Sequence, residues 1–490
     1  MRQRDGSSLR LKYSFYLCLF FFSFFKAYAQ APTSSSYNEN TAGFSLFDLD
    51  KALHFKRLFL SSPDHKSMEG FPTPILPKVA HGKVIQAIHF LGNKRTDSDL
   101  LSLSLSLAPG QIFTEDKLSE SVQNIKNLQV FADVYSFIVY ADSAHTELTI
   151  YIVIEEKWTF IPYVLAGSGG GASYFVAGIY DTNFLGRLYT FNMAYGCKNS
   201  SCSEFLYFKN PNLFSSPFSF VLAPYLQHNV YYIYDDDRNT IGAFANQQTM
   251  VSSYSEYRAN SQLSFGVGVL YINNQITNKG LTFEDEETNQ FYGYAPPPST
   301  QSMALESRLT LGSINYDGVL LMDGTMFVSI LDSTLQILEN SNDNYTAINN
   351  TLTSFKPFLF RNAYLAFRGN LSFTTSSVTS QQYFLGGLDK IRGFFDNEFV
   401  GNKTWFTNAE FRIPTYMDEN IAIQNVFFSD AGNAVNDWND FFVHPTAINT
   451  GVGARLIFLK VSKIALRVDW AYTLHPFNAH GFSFGFFQFF

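Results

Sequence analysis

The chain has 490 residues and a formal net charge of -8, and that total already includes a cluster of basic residues at its N-terminus. No basic field remains to attract nucleic acid, so that class of partner is excluded. Aromatic residues make up 17%, with 52 Phe and 28 Tyr. Yet beyond the N-terminus no stretch approaches the ~20 apolar residues that a transmembrane helix needs. A β-barrel resolves this conflict, because its apolar residues alternate with polar ones. Mean hydropathy then stays near neutral while one face suits lipid.

Arg2, Arg4, Arg10 and Lys12 form a basic n-region, and Tyr13 to Phe25 an apolar core. Ala27-Tyr28-Ala29 supplies a small-x-small site before Gln30. This order predicts a secretory signal peptide over residues 1–29. About 13 apolar residues are too few to cross a hydrocarbon layer of ~30 Å as an anchor. Cys18 lies inside the apolar core with no small residues before it, which argues against a lipoprotein. Residues 30–82 read as a linker, from Thr33–Ser36 and the Pro72, Pro74 and Pro77 cluster. Within it, Leu46, Leu49, Leu53 and Leu58 fall near helical spacing over Phe44–Leu60. That segment is either a surface helix or one that docks in or near the barrel mouth.

Residues 83–157 read as a small α/β unit. Val84–Phe90 alternates as a strand, and Gly92-Asn93 closes it. Thr96 or Asp97 caps a predicted helix over Ser98–Leu107, which Pro109-Gly110 stops. Thr114 starts a second helix with Leu118, Val122, Ile125 and Leu128 on one face. Tyr135–Tyr140 and Glu147–Ile154 read as strands. The order β-α-α-β-β is enough to close a two-layer core.

From residue 158 to 490 the pattern becomes repeated alternating strands separated by Gly, Asn, Asp and Ser turns. Leu466, Val468, Trp470, Tyr472 and Leu474 share one face; Arg467, Asp469, Ala471 and Thr473 share the other. A soluble sandwich would show the same periodicity, so the signal peptide and the Phe excess decide for the barrel. About 330 residues, at roughly 20 per strand and loop, allow about 16 antiparallel strands. The first of them runs into Gly167–Gly171, and the last, Gly481–Phe490, carries Gly481 and Gly485. Glycine weakens strand pairing. The Gly run reads equally as a hairpin turn and as part of a weak seam.

Several features carry no chemistry. Gly167–Gly171 precedes no helix pattern and is not a phosphate loop. Asp235-Asp236-Asp237 lacks the Gly and distal Glu of a calcium loop. His444, His475 and His480 have no matched acid or nucleophile. No enzyme, cofactor or metal reading survives. Cys197 and Cys202 flank Lys-Asn-Ser-Ser; in an oxidising compartment they pair as a hairpin staple. A metal pair competes, but no His sits nearby to complete it.

Two resemblances sharpen the reading. The 83–157 unit resembles a POTRA domain through Ile88–Lys94, Pro109-Gly110 with Phe113, Leu128 through Phe131–Val134, and Val153–Glu156. Leu385–Phe394 resembles the VRGF/VRGY loop of the BamA, TamA and two-partner-secretion transporter superfamily. Asn408–Pro414, Val426–Asn433, Gly451–Arg455 and Leu466–Asp469 follow in the family's order, and Asp181–Arg187 resembles its early periplasmic turn. The resemblance implies that the loop tip Ile391-Arg392-Gly393-Phe394 folds back into the lumen, where Arg392 contacts Glu410 and Asp430. If Asp430 faces inward, so does Phe428, which supplies an apolar wall. Phe490 resembles the terminal aromatic of a bacterial barrel's assembly signal, although Gln488 departs from its pattern.

The resemblance also implies function: outer-membrane protein insertion or assembly, or polypeptide translocation. The partners it implies are unfolded outer-membrane or secreted polypeptides, outer-membrane lipid and periplasmic accessory proteins. An export pore for one dedicated client and a passive porin or structural barrel are the alternatives. A single POTRA unit departs from the several, or the two, usual in the family's main branches.

Overall fold

The computed structural model describes residues 74–490 apart from 170, 200, 236–237, 278–294, 318–319, 336–343, 359–362, 388, 419, 443–446, 462–464 and 487–489. The expected signal peptide, the 44–60 helix, Asp236, Asp237, His444 and Gln488 lie outside the described residues. No helix among the described residues is long and apolar enough to cross a membrane.

After a short helical turn, α1 (Pro77–Ala80), the chain forms β1 (Val84–Leu91), α2 (Ser98–Ser102), α3 (Glu115–Asn127), β2 (Phe131–Tyr140) and β3 (Glu147–Glu156). β3 lies in the middle of a three-stranded sheet, parallel to β1 and antiparallel to β2. Leu118, Val122 and Ile125 occupy one face of α3 and are buried against Ile85, Ile138, Ile150, Ile152 and Ile154. Each such side chain contributes about 1.5–3 kcal/mol on burial.

α2 is shorter than its predicted span. Asp97 caps it by accepting from the Asp99 amide at 3.0 Å, but the helix ends at Ser102. The following leucines recur every second residue, a spacing no helix face can use. The Ser106 amide instead donates to Ser121 Oγ on α3 at 2.8 Å. β2 also starts earlier than predicted, at Phe131, where its side chain joins the core.

The remaining chain closes into a barrel. Its strands are β4 (Phe160–Gly169), β5 (Ala172–Phe184), β6 (Tyr189–Lys198), β7 (Ser201–Asn210), β8 (Phe218–Tyr234), β9 (Thr240–Asn260), β10 (Leu263–Thr277), β11 (Thr300–Asp317), β12 (Leu321–Leu335), β13 (Thr346–Pro357) and β14 (Tyr364–Thr374). A two-stranded hairpin, β15 (Tyr383–Leu385) with β16 (Phe399–Gly401), stands outside the barrel sheet. Then come β17 (Lys403–Met417), β18 (Ile421–Val435), β19 (Ala447–Phe458), β20 (Ala465–His475) and β21 (Ala479–Phe486). Neighbours are antiparallel throughout, and β21 returns to β4, giving sixteen strands. β20 shows the alternation plainly. Val468, Trp470 and Leu474 are exposed on the outer face, while Arg467, Asp469, Ala471 and Thr473 are buried on the inner one. The charged face is therefore the lumen, and the sandwich alternative falls.

The α/β unit docks on one rim of the barrel. The Glu156 carboxylate accepts from the Thr96 amide at 2.8 Å and from Thr96 Oγ1 at 2.6 Å. Thr96 Oγ1 in turn accepts from Asn183 Nδ2 at 2.8 Å. The turn after β5 packs on the unit: the Asp97 amide donates to the Gly186 carbonyl at 3.0 Å, and Arg187 pairs with Asp97 at 2.8 Å. A Cβ at Gly186 would lie 2.0 Å from the Arg95 carbonyl oxygen, so this turn admits only glycine. On the next contact, Lys126 of α3 pairs with Asp317 at 2.8 Å. At the opposite, far rim, Cys197 and Cys202 face each other across β6 and β7 and are disulfide-bonded.

Candidate functional site

The chain between β14 and β17, residues 375–402, does not stay at the far rim. Its tip enters the lumen. Gly386, Gly387 and Gly393 adopt φ of +112°, +82° and +82°, which lets the backbone reverse around the tip. Ile391, Arg392 and Phe394 are all buried.

An arginine 1% exposed requires partners for its charge. β17 and β18 set Asn408 opposite Asp430 and Glu410 opposite Phe428. β18 and β19 set Asp430 opposite Asn449 and Phe428 opposite Gly451. Strand alternation turns all of these side chains inward. Asp430 accepts from Arg392 Nε at 2.9 Å and Nη2 at 2.7 Å, a planar two-point pair. The Arg392 backbone amide adds a third bond to Asp430 at 3.1 Å. Arg392 Nη1 donates to Glu410 at 2.6 Å and lies 3.8 Å from Asp469.

The Phe428 ring lies under this guanidinium, 3.5 Å from its carbon to the ring centroid. Gly451 makes the room, since a Cβ there would fall 2.3 Å from the ring. Two asparagines complete the cage. Asn408 Nδ2 donates to Asp430 at 2.9 Å and to the Lys390 carbonyl at 2.7 Å. Asn449 Nδ2 donates to the Arg392 carbonyl at 2.5 Å and to Asp430 at 3.1 Å.

The charges continue around the wall. Glu410 pairs with Arg412 at 2.7 Å, and Asp469 with Arg455 at 2.7 Å. Arg467 lies 3.5 Å from Asp469. The loop is thus clamped by β17, β18, β19 and β20 together. Ile391 fits against Gly432, Phe406 and Ala447, and Phe394 against Phe399 and Phe477. Gly393 lies on the last hairpin, where a Cβ would be 3.1 Å from both Ala471 and Thr473.

A second clasp holds the loop at the far rim. Arg238, between β8 and β9, makes a two-point pair with Glu398 at 2.6 and 2.8 Å. Its guanidinium lies 3.7 Å from the Phe477 ring centroid and 4.4 Å from that of Phe395. Lys198 forms an ion pair with Asp396 beside it.

The structure brings Arg392 together with Glu410, Asp430 and Phe428. Asn408, Asn449 and Asp469 were not anticipated as partners of the tip. Asn408 and Asp469 carried a signal, because each lies two residues from an inward-facing charge. Asn449 and Arg238 carried none. Phe490 calls for a correction. It was expected at the end of the last strand, but β21 ends at Phe486 and Phe490 sits against the lumen wall. Arg412 Nη2 donates to its carbonyl at 3.0 Å, and its ring faces Phe355 and Arg368. Asp235 belongs to a tight turn, accepting from the Asn239 amide at 2.7 Å, and His475 and His480 are exposed.

A lipid-facing barrel closed on its own charged loop, with a β-α-α-β-β unit docked at one rim, defines a polypeptide-handling protein of the bacterial outer membrane. The chain belongs to the Omp85 superfamily: the Omp85 superfamily domain matches residues 183–490, and POTRA, the surface antigen variable number repeat, matches residues 83–157. CdiB from Acinetobacter baumannii shares the fold at TM-score 0.56 and 12% identity, over 83% of this chain and 74% of that one. BamA from Haemophilus ducreyi lacking POTRA domains 1–3 aligns at TM-score 0.49 and 17% identity, over 82% of this chain and 84% of that one. No curated protein matches the chain by sequence. Membership of the superfamily places the function in outer-membrane protein insertion or polypeptide translocation.

Proposed function

We propose that the POTRA unit lies in the periplasm and receives unfolded clients, which the barrel then inserts into the outer membrane or passes across it. The loop tip held by Arg392 carries this reading. A freely conducting pore needs neither a lumen-filling loop anchored through four strands nor an α/β unit docked at its mouth. The 110–113 segment covers the start of β1 and Ile75 pairs with Ile138 of β2, so an extended client would add to the rest of these edge strands. The proposed functional residues are Ile391, Arg392, Gly393 and Phe394, with Glu410, Phe428 and Asp430 as their wall. Clients are unfolded outer-membrane or secreted polypeptides, with periplasmic accessory proteins as further partners. The chemistry required is binding and guidance, with no bond-breaking step.

The test is depletion of the chain followed by a census of outer-membrane and secreted proteins. Loss of a defined client set supports the reading; an unchanged census with steady open conductance supports a passive pore instead. Crosslinking then separates the two transport routes. A lateral insertase gives client crosslinks near Gly167 and Phe486, and an export pore gives them at lumen positions such as Arg467.

A further inference from the structure

Four residues form one rung across the barrel's closing seam, on the lumen side. Tyr174 on β5 is opposite Gly167 on β4, and Arg467 on β20 is opposite Gly485 on β21. The seam itself pairs Phe484 with Ser168, which sets Gly485 opposite Gly167. Neither glycine offers a side chain to its neighbour, and Tyr174 covers both. A Cβ on Gly167 would lie 2.2 Å from the tyrosine ring, and one on Gly485 would lie 2.8 Å from its hydroxyl oxygen. The hydroxyl end points toward Arg467, whose Nη2 is 3.5 Å from that same Gly485 position.

Among the described residues, backbone pairing at the seam is sparse: β21 and β4 share one register pair, whereas β4 and β5 share ten and β20 and β21 share eight. A side chain that spans both strands therefore adds to the cross-seam contact. An aromatic ring laid over glycine also restores the packing that glycine lacks. Beside the ring lies a lumen cavity of about 420 Å³, lined by Tyr174, Lys198, Tyr231 and Lys390 among others.

We propose that Tyr174 is the positioning residue that holds the seam closed at rest, its ring seated in the slot made by Gly167 and Gly485. This goes beyond the loop site and rests on the barrel reading; its importance for clients rests further on the lateral route proposed above.

The experiment is amide hydrogen exchange on the full chain in lipid nanodiscs, comparing the native protein with Tyr174→Ala and Tyr174→Phe. In Tyr174→Ala, exchange over 160–169 and 479–486 rises about fivefold or more, the scale of a lost cross-strand aromatic contact, while β17 and β18 stay unchanged. Tyr174→Phe keeps the ring and stays near the native rate. Unchanged seam exchange in Tyr174→Ala overturns the proposal, and so does an equal rise in both variants, since the hydroxyl rather than the ring would then hold the seam. Client insertion is measured on the same preparations. A looser seam with unaltered insertion leaves Tyr174 as the pin and overturns the lateral route instead.

Discussion

Asp430 grips Arg392 at three donors, two on the guanidinium and one on the backbone amide. The carboxylate therefore fixes both the plane of the side chain and the path of the loop. A lysine at this position keeps the charge but not the planar fork. Arg392→Lys is expected to lower client insertion or export at least as far as half the deficit of Arg392→Ala. In Arg392→Ala, Asp430 loses its guanidinium and keeps the Asn408 and Asn449 amides while Glu410 keeps Arg412, and the broken pair costs about 3–5 kcal/mol of loop docking. The barrel still forms, so gel migration of the folded form is retained. Full activity of Arg392→Lys would show that charge alone suffices.

Removing both partners costs less than the two single losses together. Arg392→Ala leaves Asp430 without its guanidinium, and Asp430→Ala leaves Arg392 with Glu410 as its nearest anion. A double-mutant cycle on thermal unfolding is expected to give a coupling of about 1–3 kcal/mol, as for groups in one buried network. Additive single effects would mean that the pair does not act as a unit.

Gly451→Val tests the floor beneath the guanidinium. Its side chain would enter the space of the Phe428 ring and tilt it away from Arg392. Overpacking of this kind costs about 1–3 kcal/mol. The expected readout is protease cleavage within 389–394, which the native lumen protects. Continued protection in this variant would remove Phe428 from the account.

Glu156→Ala is expected to loosen the POTRA unit from the barrel without unfolding either. The carboxylate gathers two backbone amides and the Thr96 hydroxyl that bonds Asn183. Hydrogen bonds to a charged group contribute about 1.5–3 kcal/mol each. Limited proteolysis near 157–160 then speeds up, while the thermal midpoint of the barrel holds.

Much of this architecture is legible in the sequence because its physics is local. The alternation in β20 assigns lipid and lumen faces residue by residue, and the leucine and isoleucine spacing of α3 finds its buried side. Arg392 with Glu410 and Asp430 was legible only through motif resemblance, since contacts between distant strands leave no local periodicity. The predicted α2 overshoots its end because alternating Ser and Leu still contain residues at helical offsets. Asn449 meets the loop through the register of β18 with β19, and Arg238 through loop packing at the far rim. Neither depends on neighbours in sequence. Phe490 meets residues on β13, β14 and β17, far from it along the chain.

Gly393 of the loop and Gly481 of β21 meet backbone to backbone: a Cβ on Gly481 would stand 3.0 Å from Gly393 Cα. A side chain on Gly481 would have to displace the loop backbone at Gly393, and one on Gly393 would press on Ala471 and Thr473 of β20. The plug and the final hairpin are in this sense one mechanical part. A pull on the hairpin at this height is transmitted to the plug with no compressible layer to absorb it.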